Sequence, residues 1–226
     1  MTWEKTTQIN YGIDFSFFKR KVSGTLDFYT SRTTDLLMLK TIPSVTGFVN
    51  TYANIGETSS RGIDLTVTTV NLNRGGFEWS TTFNGSWQAN EIVSLANGKV
   101  DDINNKWFIG QSQGVIYDYQ SNGLWKDADA AEMAKFNANG QAFTIGSVRP
   151  VDQNGDYKID ATNDRRVLGS TIPRFIVGMT NTFDYKGFSL SFMLYGRLKY
   201  LYNTGGEALT GRSNQRVVSY YTPNNT

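Results

Sequence analysis

Apolar and polar residues alternate along several long stretches of this chain. The clearest runs from Phe77 to Ala89. Its odd positions are Phe77, Trp79, Thr81, Phe83, Gly85, Trp87 and Ala89; its even positions are Glu78, Ser80, Thr82, Asn84, Ser86 and Gln88. A period of two predicts a β-strand with one apolar face and one wet face. The alternation spans about 13 residues, whereas a tilted membrane-barrel strand needs roughly 9–11 and globular strands more often have five or six. Large aromatics near both ends of the apolar face suit two membrane–water interfaces. A long strand of a soluble sandwich would show the same alternation, with its apolar face against a second sheet.

The same pattern recurs on both sides. Tyr11, Ile13, Phe15 and Phe17 alternate with Asn10, Gly12, Asp14 and Ser16; then Lys19-Arg20-Lys21 form a short basic turn. Val22, Gly24, Leu26 and Phe28 alternate with Ser23, Thr25, Asp27 and Tyr29, and the strand runs on through Leu36–Leu39, where alternation stops. Residues 42–60 read as a longer loop rich in Gly, Ser, Thr and Asn. From Arg61, Ile63, Leu65 and Val67 alternate with Asp64, Thr66 and Thr68 up to a tight turn at Asn73-Arg74-Gly75-Gly76. After a very long insert, Val177, Met179, Phe183 and Tyr185 resume the pattern. Lys186-Gly187 turn the chain, and Phe188, Leu190, Phe192, Leu194 and Leu198 complete it. The expected strand regions are about 8–41, 61–95 and 175–202, with loop from 203 onward.

These regions give about six strands in three hairpins. Every turn on one edge is short, and every connection on the other is long. A sandwich gives no reason to sort its loops in this way, whereas transmembrane barrels have short periplasmic turns and long extracellular loops. Aromatics also gather beside the short turns, at Phe15, Phe17, Phe77, Trp79, Phe183, Tyr185 and Phe188. The expected fold is therefore all-β, an antiparallel segment of a transmembrane β-barrel. Three hairpins cannot close a transport barrel of some 16–22 strands, so the chain is expected to be an arc of a larger one.

Composition changes this picture little. Mean hydropathy is −0.39, an average in which a polar lumen face hides the alternation. No run approaches the roughly 18–20 apolar residues of a transmembrane helix. The formal charge is +2, from 22 basic and 20 acidic residues without a dense basic patch, so nucleic acid is not an expected partner. Cys and His are both absent, which removes disulfides, thiolate metal sites, the usual zinc ligand and the commonest general base. The opening MTWEKTTQ shows no charged-then-apolar leader and the closing YYTPNNT is polar, so a barrel reading expects leader and further strands to lie outside this chain.

The insert, residues 96–174, is too long for a structureless connection in a compact domain. One short helix is expected in it, with Asp129 as N-cap, Glu132 as its partner three residues on, Met133 and Phe136 on one face, and Gly140 as the stop. The insert also carries VDQNGDYKIDATND, Val151–Asp164. Asp152, Asn154, Asp156 and Asp160 occupy positions 1, 3, 5 and 9 of a calcium loop, with a carbonyl expected from Lys158 at position 7. Position 6 is Tyr157 rather than Gly, and position 12 is Asn163, with Asp164 one residue late. A structural calcium ion held by Asp152, Asn154, Asp156, Lys158, Asp160 and Asp164 is one expectation; an Asx-rich turn without metal is the other. Trp107, Tyr117, Tyr119 and Trp125 are candidates to stack on a sugar at a barrel mouth, against the alternative that they form the loop's own small core. An enzyme is not expected. Asp156, Asp160 and Asp164 fall within one tight loop and compete for the same turn or cation role. The rival of a different class is a secreted, calcium-binding β-sandwich that binds carbohydrate.

Trp3-Glu4-Lys5-Thr6-Thr7-Gln8, with Gly12, Asp14 and Phe17-Phe18, opens a series of short motifs. Gly24–Tyr29, Thr33-Thr34-Asp35-Leu36-Leu37, Pro43, Thr46-Gly47, Asn54-Ile55-Gly56-Glu57 and Arg61-Gly62-Ile63-Asp64-Leu65 follow. The Asp loop, Asp164-Arg165, Leu168-Gly169, Pro173, Gly178 and Tyr185-Lys186-Gly187-Phe188 complete it. In order and spacing the chain resembles the C-terminal barrel region of the SusC/RagA family of TonB-dependent outer-membrane transporters. The resemblance implies a place in a barrel of about 22 strands and in the cell outer membrane, among its lipids. It implies import of oligosaccharides or peptides, with a SusD-like surface lipoprotein as lid over an extracellular loop at 96–174. It also implies energy from TonB through a plug region that this chain does not contain.

Overall fold

A computed structural model describes residues 3–42, 47, 50–96 and 98–203. The expectations for Pro43, Thr46 and the terminal stretch from 204 onward lie outside these. The chain divides into two compact units, one of Met1–Gly114 with Ile172–Leu201 and a second built on Val115–Thr171.

The first unit is a six-stranded antiparallel sheet. Its strands are β1 (Lys5–Phe17), β2 (Val22–Thr41), β3 (Asn50–Arg74), β4 (Phe77–Ser94), β9 (Phe175–Tyr185) and β10 (Phe188–Leu198), paired in that order. The three short turns fall as expected. Gly75-Gly76 and Lys186-Gly187 each place two successive residues at positive φ, with +64° and +77° in the first and +47° and +88° in the second. Two such residues make the tight hairpin turn whose twist matches the strands it joins. Beyond the short-turn side, β2 and β3 extend well past the alternating region, so residues 50–60 are strand rather than loop. Irregular register between Thr33 and Leu37 accommodates this extension, with Asp35 at φ +57° and its carbonyl accepting from Asn54 Nδ2 at 2.7 Å.

Register brings most of the apolar positions onto one face, with Val70, Ile176 and Met193 on the other. Phe15, Gly24, Val67, Phe83, Met179 and Leu194 are successive cross-strand neighbours, and so are Tyr11, Phe28, Ile63, Trp87, Phe175 and Leu198. A one-residue slip in any strand would turn its apolar set to the other face. Gly24 is needed where it stands: a Cβ there would run into the Phe15 ring and the Thr66 carbonyl. The opposite face is mostly hydroxyls, amides and acids, linked across strands by Thr66 Oγ1 donating to Asn84 Oδ1 at 3.1 Å and the Thr68 and Thr82 hydroxyls at 3.2 Å.

The apolar band runs from Phe77, Tyr185 and Phe188 beside the short turns to Tyr11, Phe28, Trp87 and Phe175 at the other margin. On β9 this is the whole strand of 11 residues, about 25 Å of depth once tilted by about 45°. Its side chains are open among the described residues of this unit. Tyr11 is 67% exposed, Ile13 60%, Leu190 62% and Leu194 56%, where a sandwich would bury them. Among the described residues no helix is long and apolar enough to cross a membrane; the strands have the length and the facing to do so.

One register row interrupts the band with polar residues, Thr69, Thr81 and Asn181. Asn181 sits on the apolar face, is 6% exposed, and its Oδ1 accepts from Trp79 Nε1 at 3.1 Å and Thr81 Oγ1 at 2.8 Å. Asn71 Nδ2 donates to Thr81 Oγ1 at 2.7 Å, and Thr69 Oγ1 donates to Asn71 Oδ1 at 2.9 Å. A polar group facing hydrocarbon must be satisfied within the protein, and Trp79 stacks on Phe183, with ring centroids 5.6 Å apart, beside this network.

Candidate functional site

The second unit carries most of the residues expected to act. Its elements are β5 (Val115–Tyr119) paired with β8 (Arg165–Ser170), and β6 (Ser121–Leu124) paired with β7 (Val148–Pro150). A helix, α1 (Ala130–Ala138), follows a 3-10 turn at Asp127–Asp129. The helix and its limits follow the sequence: Asp129 stands at the N-cap, and Gly140 takes φ +85° after the last turn.

The expected capping pair works differently. The Asp129 side chain makes no cap bond to the helix; it accepts from the Lys126 backbone N–H at 3.1 Å. Asp129 and Glu132 share one partner, Arg149, whose guanidinium lies 3.2 Å from Asp129 Oδ1 and 2.6 Å from Glu132 Oε2. The same guanidinium stacks 4.7 Å from the Trp125 ring centre. Arg149 is the residue that sequence reading missed. A single Arg before a Pro gives no pattern, and its partners lie about 20 positions away.

Trp125 is corrected from a sugar platform to a core residue. It is 0% exposed and packs on Phe136 at 5.5 Å and Phe143 at 5.7 Å, leaving no ring face for a ligand. Its Nε1 is buried without a hydrogen-bond partner among the described residues, so the ring contributes here through packing. Tyr117 and Tyr119 share one face of β5, opposite Val167 and Arg165, and are partly exposed. Arg165 lies 5.1 Å over the Tyr119 ring. Trp107 belongs to the first unit, where it closes a small hairpin with Asp102 through two backbone bonds of 2.8 and 2.9 Å. It too is partly exposed.

The Asp loop turns its oxygens inward, onto its own backbone. Asp152 accepts from the N–H of Gly155 at 2.7 Å and of Tyr157 at 2.8 Å. Asp164, 0% exposed, accepts from the N–H of Gln153 at 2.8 Å and of Asp160 at 2.7 Å. Asp160 accepts from the N–H of Asn163 and of Thr162, each at 2.9 Å. Asn154 Nδ2 donates to Asp156 Oδ2 at 2.9 Å, and Lys158 Nζ lies 4.0 Å from Asp160 Oδ2. The Asn163 N–H, helped by Thr162 and by the Lys158 charge and opposed by desolvation, holds the Asp160 carboxyl below its ordinary value of 3.8. Among the described residues no group of three or more acids converges on a point that would hold a metal ion. The donor set as arranged is that of nested Asx turns.

Tyr157, the departure at position 6, has φ +58°, a conformation that costs a bulky residue about 1–2 kcal/mol. Its ring packs edge-on against Phe136 at 5.5 Å with the Lys135 ammonium 4.9 Å over it. The aromatic at this position anchors the Asp loop to the helix, which glycine cannot do.

Six long strands with one continuous apolar face, bounded by aromatics and joined by tight turns on one edge, define a segment of transmembrane barrel wall. Comparison with known proteins gives the same class. The family described as TonB dependent receptor-like, beta-barrel, matches residues 1–224, and the chain belongs to that family. It is 34% identical over 225 residues to "TonB-dependent receptor P39" of Formosa agariphila, covering 84% of this chain and 22% of that protein. It is 29% identical over 206 residues to "TonB-dependent receptor SusC" of Bacteroides thetaiotaomicron, covering 89% of this chain and 20% of SusC. In fold it matches a chain of the RagAB peptide importer in its 'open-open' state, with TM-score 0.71 and 22% identity over 88% of this chain and 21% of that one. The chain thus spans about a fifth of the length of the relatives it matches.

Proposed function

We propose that this chain is a wall segment of a TonB-dependent importer in the outer membrane. The observation that carries the reading is the apolar band, continuous in register across all six strands and as deep as a bilayer core. In this reading the short turns face the periplasm and the long connections face outward. The segment 96–174 then contributes to the mouth, and nothing in the chain is catalytic. The cargo is a large nutrient, an oligosaccharide or a peptide, taken up with a SusD-like lipoprotein lid and driven by TonB through a plug carried elsewhere in the receptor. The RagAB peptide importer, similar in fold, supports the peptide part of this cargo class. Tyr117 and Tyr119 are the residues of the mouth assigned to contact cargo.

The test is uptake and co-purification with the intact receptor. Deleting its gene is expected to abolish growth on one class of oligosaccharide or peptide, and a tagged receptor is expected to bring down a surface lipoprotein. Growth unchanged on every such substrate, with no lipoprotein recovered, overturns the reading. Calcium at Asp152–Asp164 is a separate proposal. An ion there has to displace backbone amides from Asp152, Asp160 and Asp164, so its binding is expected to change amide exchange at Gly155, Tyr157 and Asn163. Unchanged exchange at millimolar calcium retires the ion.

A further inference from the structure

We propose that the short-turn rim of this wall is a binding surface for the phosphate groups of anionic glycerophospholipids. The proposal rests on the reading that the short turns face the periplasm. Its site is the edge carrying the three turns, where Lys19, Arg20, Lys21, Arg74 and Lys186 stand within a few residues of one another's strands. All five are exposed, and none forms an ion pair among the described residues.

Their placement is directional. Arg74 pairs in register with Phe77 and so shares the apolar face. Lys186 Nζ lies 5.2 Å over the ring of Tyr185, on the same face. Lys19, Arg20 and Lys21 follow directly on Phe17 and Phe18, which are 55% and 77% exposed. The acids of this rim, Glu78 and Asp184, are cross-strand neighbours on the opposite face. Cations on long stems beside lipid-facing aromatics sit at head-group depth, where an ammonium or guanidinium reaches a phosphate while its stem stays in contact with apolar surface.

Backbone and charge both bear on the choice of residues here. Backbone preference does not explain its cations: Lys19, Arg20 and Lys186 have φ of +55°, +67° and +47°, where Gly or Asn is the cheaper choice. At the other margin of the same face two cations are paired. Arg32 there is paired with Glu57, Glu91 follows it in its register row, and Lys5 lies 3.5 Å from Asp35. Arg61, Arg174 and Lys199, the last with its ammonium 5.7 Å over the Phe175 ring, are without an ion pair there among the described residues. The short-turn end instead gathers five cations with no ion pair among the described residues.

The experiment uses the intact receptor, purified and exchanged into nanodiscs containing phosphatidylglycerol and phosphatidylcholine, with retained lipid measured by native mass spectrometry. Phosphatidylglycerol is expected to be enriched over phosphatidylcholine around the wild-type barrel. Combined Lys19→Gln, Arg20→Gln and Lys21→Gln are expected to lower that enrichment by on the order of a hundredfold, roughly fivefold per cation. Lys19→Arg with Lys21→Arg is expected to preserve it, and Arg61→Gln at the other margin to leave it unchanged. Equal retention of the two lipids by the wild type overturns the proposal. So does enrichment that survives the triple variant or is lost equally in Arg61→Gln. Binding of soluble polyglutamate without phosphatidylglycerol enrichment assigns the rim to an acidic periplasmic protein and also overturns it. Orientation is checked apart from lipid, by labelling Lys19→Cys on intact cells with a membrane-impermeant maleimide. Labelling from outside refutes the orientation reading; protection from outside without lipid enrichment refutes this proposal alone.

Discussion

The two units of this chain are stabilised in opposite ways. The six-stranded sheet leaves its apolar side chains exposed, with Ile13, Leu190 and Leu194 all more than half accessible, and satisfies its polar groups along the strands. The second unit, though small, buries Trp125 and Phe136 almost completely and pins its loop with carboxylates such as Asp164. The first is built for a solvent that supplies the apolar contacts; the second provides its own. The consequence is that the same kind of substitution should have different effects in the two places.

The largest effect is expected at Trp125. Trp125→Ala should cost about 3–5 kcal/mol and open Val115–Thr171 to proteolysis, while the receptor keeps the heat-modifiable gel mobility of a folded barrel. Trp125→Phe is expected to be far milder, because Nε1 makes no hydrogen bond among the described residues. If Trp125→Ala unfolds the barrel as well, the two units are not independent.

A charge placed in mid-band tests the sheet. Leu194→Arg, on the apolar face, should cost about 2–4 kcal/mol of folding into lipid. Thr180→Arg, on the wet face one register row away, should cost little. Equal losses, measured by denaturant titration in vesicles, would mean that the apolar face does not meet lipid.

Asp164→Asn keeps one acceptor and leaves one of two buried amides unsatisfied, which should cost about 1–3 kcal/mol. Faster amide exchange at Gln153 or Asp160, confined to the second unit, is the expected sign. Asn181→Leu is expected to cost about 0.6 kcal/mol if it follows the average for hydrogen bonds between transmembrane helices, and to leave Trp79 Nε1 without its acceptor, visible as a shifted indole resonance.

The smallest effect is on pH. The folded loop lowers the Asp160 pKa, so its contribution is fully present above the ordinary value of 3.8 and is lost as pH falls through the lowered one. Amide exchange at Thr162 and Asn163 should therefore accelerate below pH 3.8, and Asp160→Asn should remove that dependence.

How far sequence reading carried depended on where each residue's partner lay. The apolar set Phe77, Phe83 and Trp87 declared its own face, and Gly75-Gly76 and Lys186-Gly187 declared their turns, because both signals lie within one strand or one hairpin. Residues 50–60 read as loop because that part of β3, beyond the lipid band, has no apolar face to give it a period. Asn181 broke the alternation with no local reason; its reason is Trp79 and Thr81, about 100 positions away in sequence and adjacent in the sheet.

The sequence by itself therefore determined the strand faces, the sorting of short turns from long connections and the family, since these rest on period and local order. The tertiary structure decided the rest. It turned Trp125 into core, made Asp129 and Glu132 partners of Arg149, and directed the acids of the Asp loop onto backbone amides. Each of these depends on which side chain arrives from a distant segment, and burial and hydrogen-bond satisfaction are properties of that meeting rather than of any residue alone.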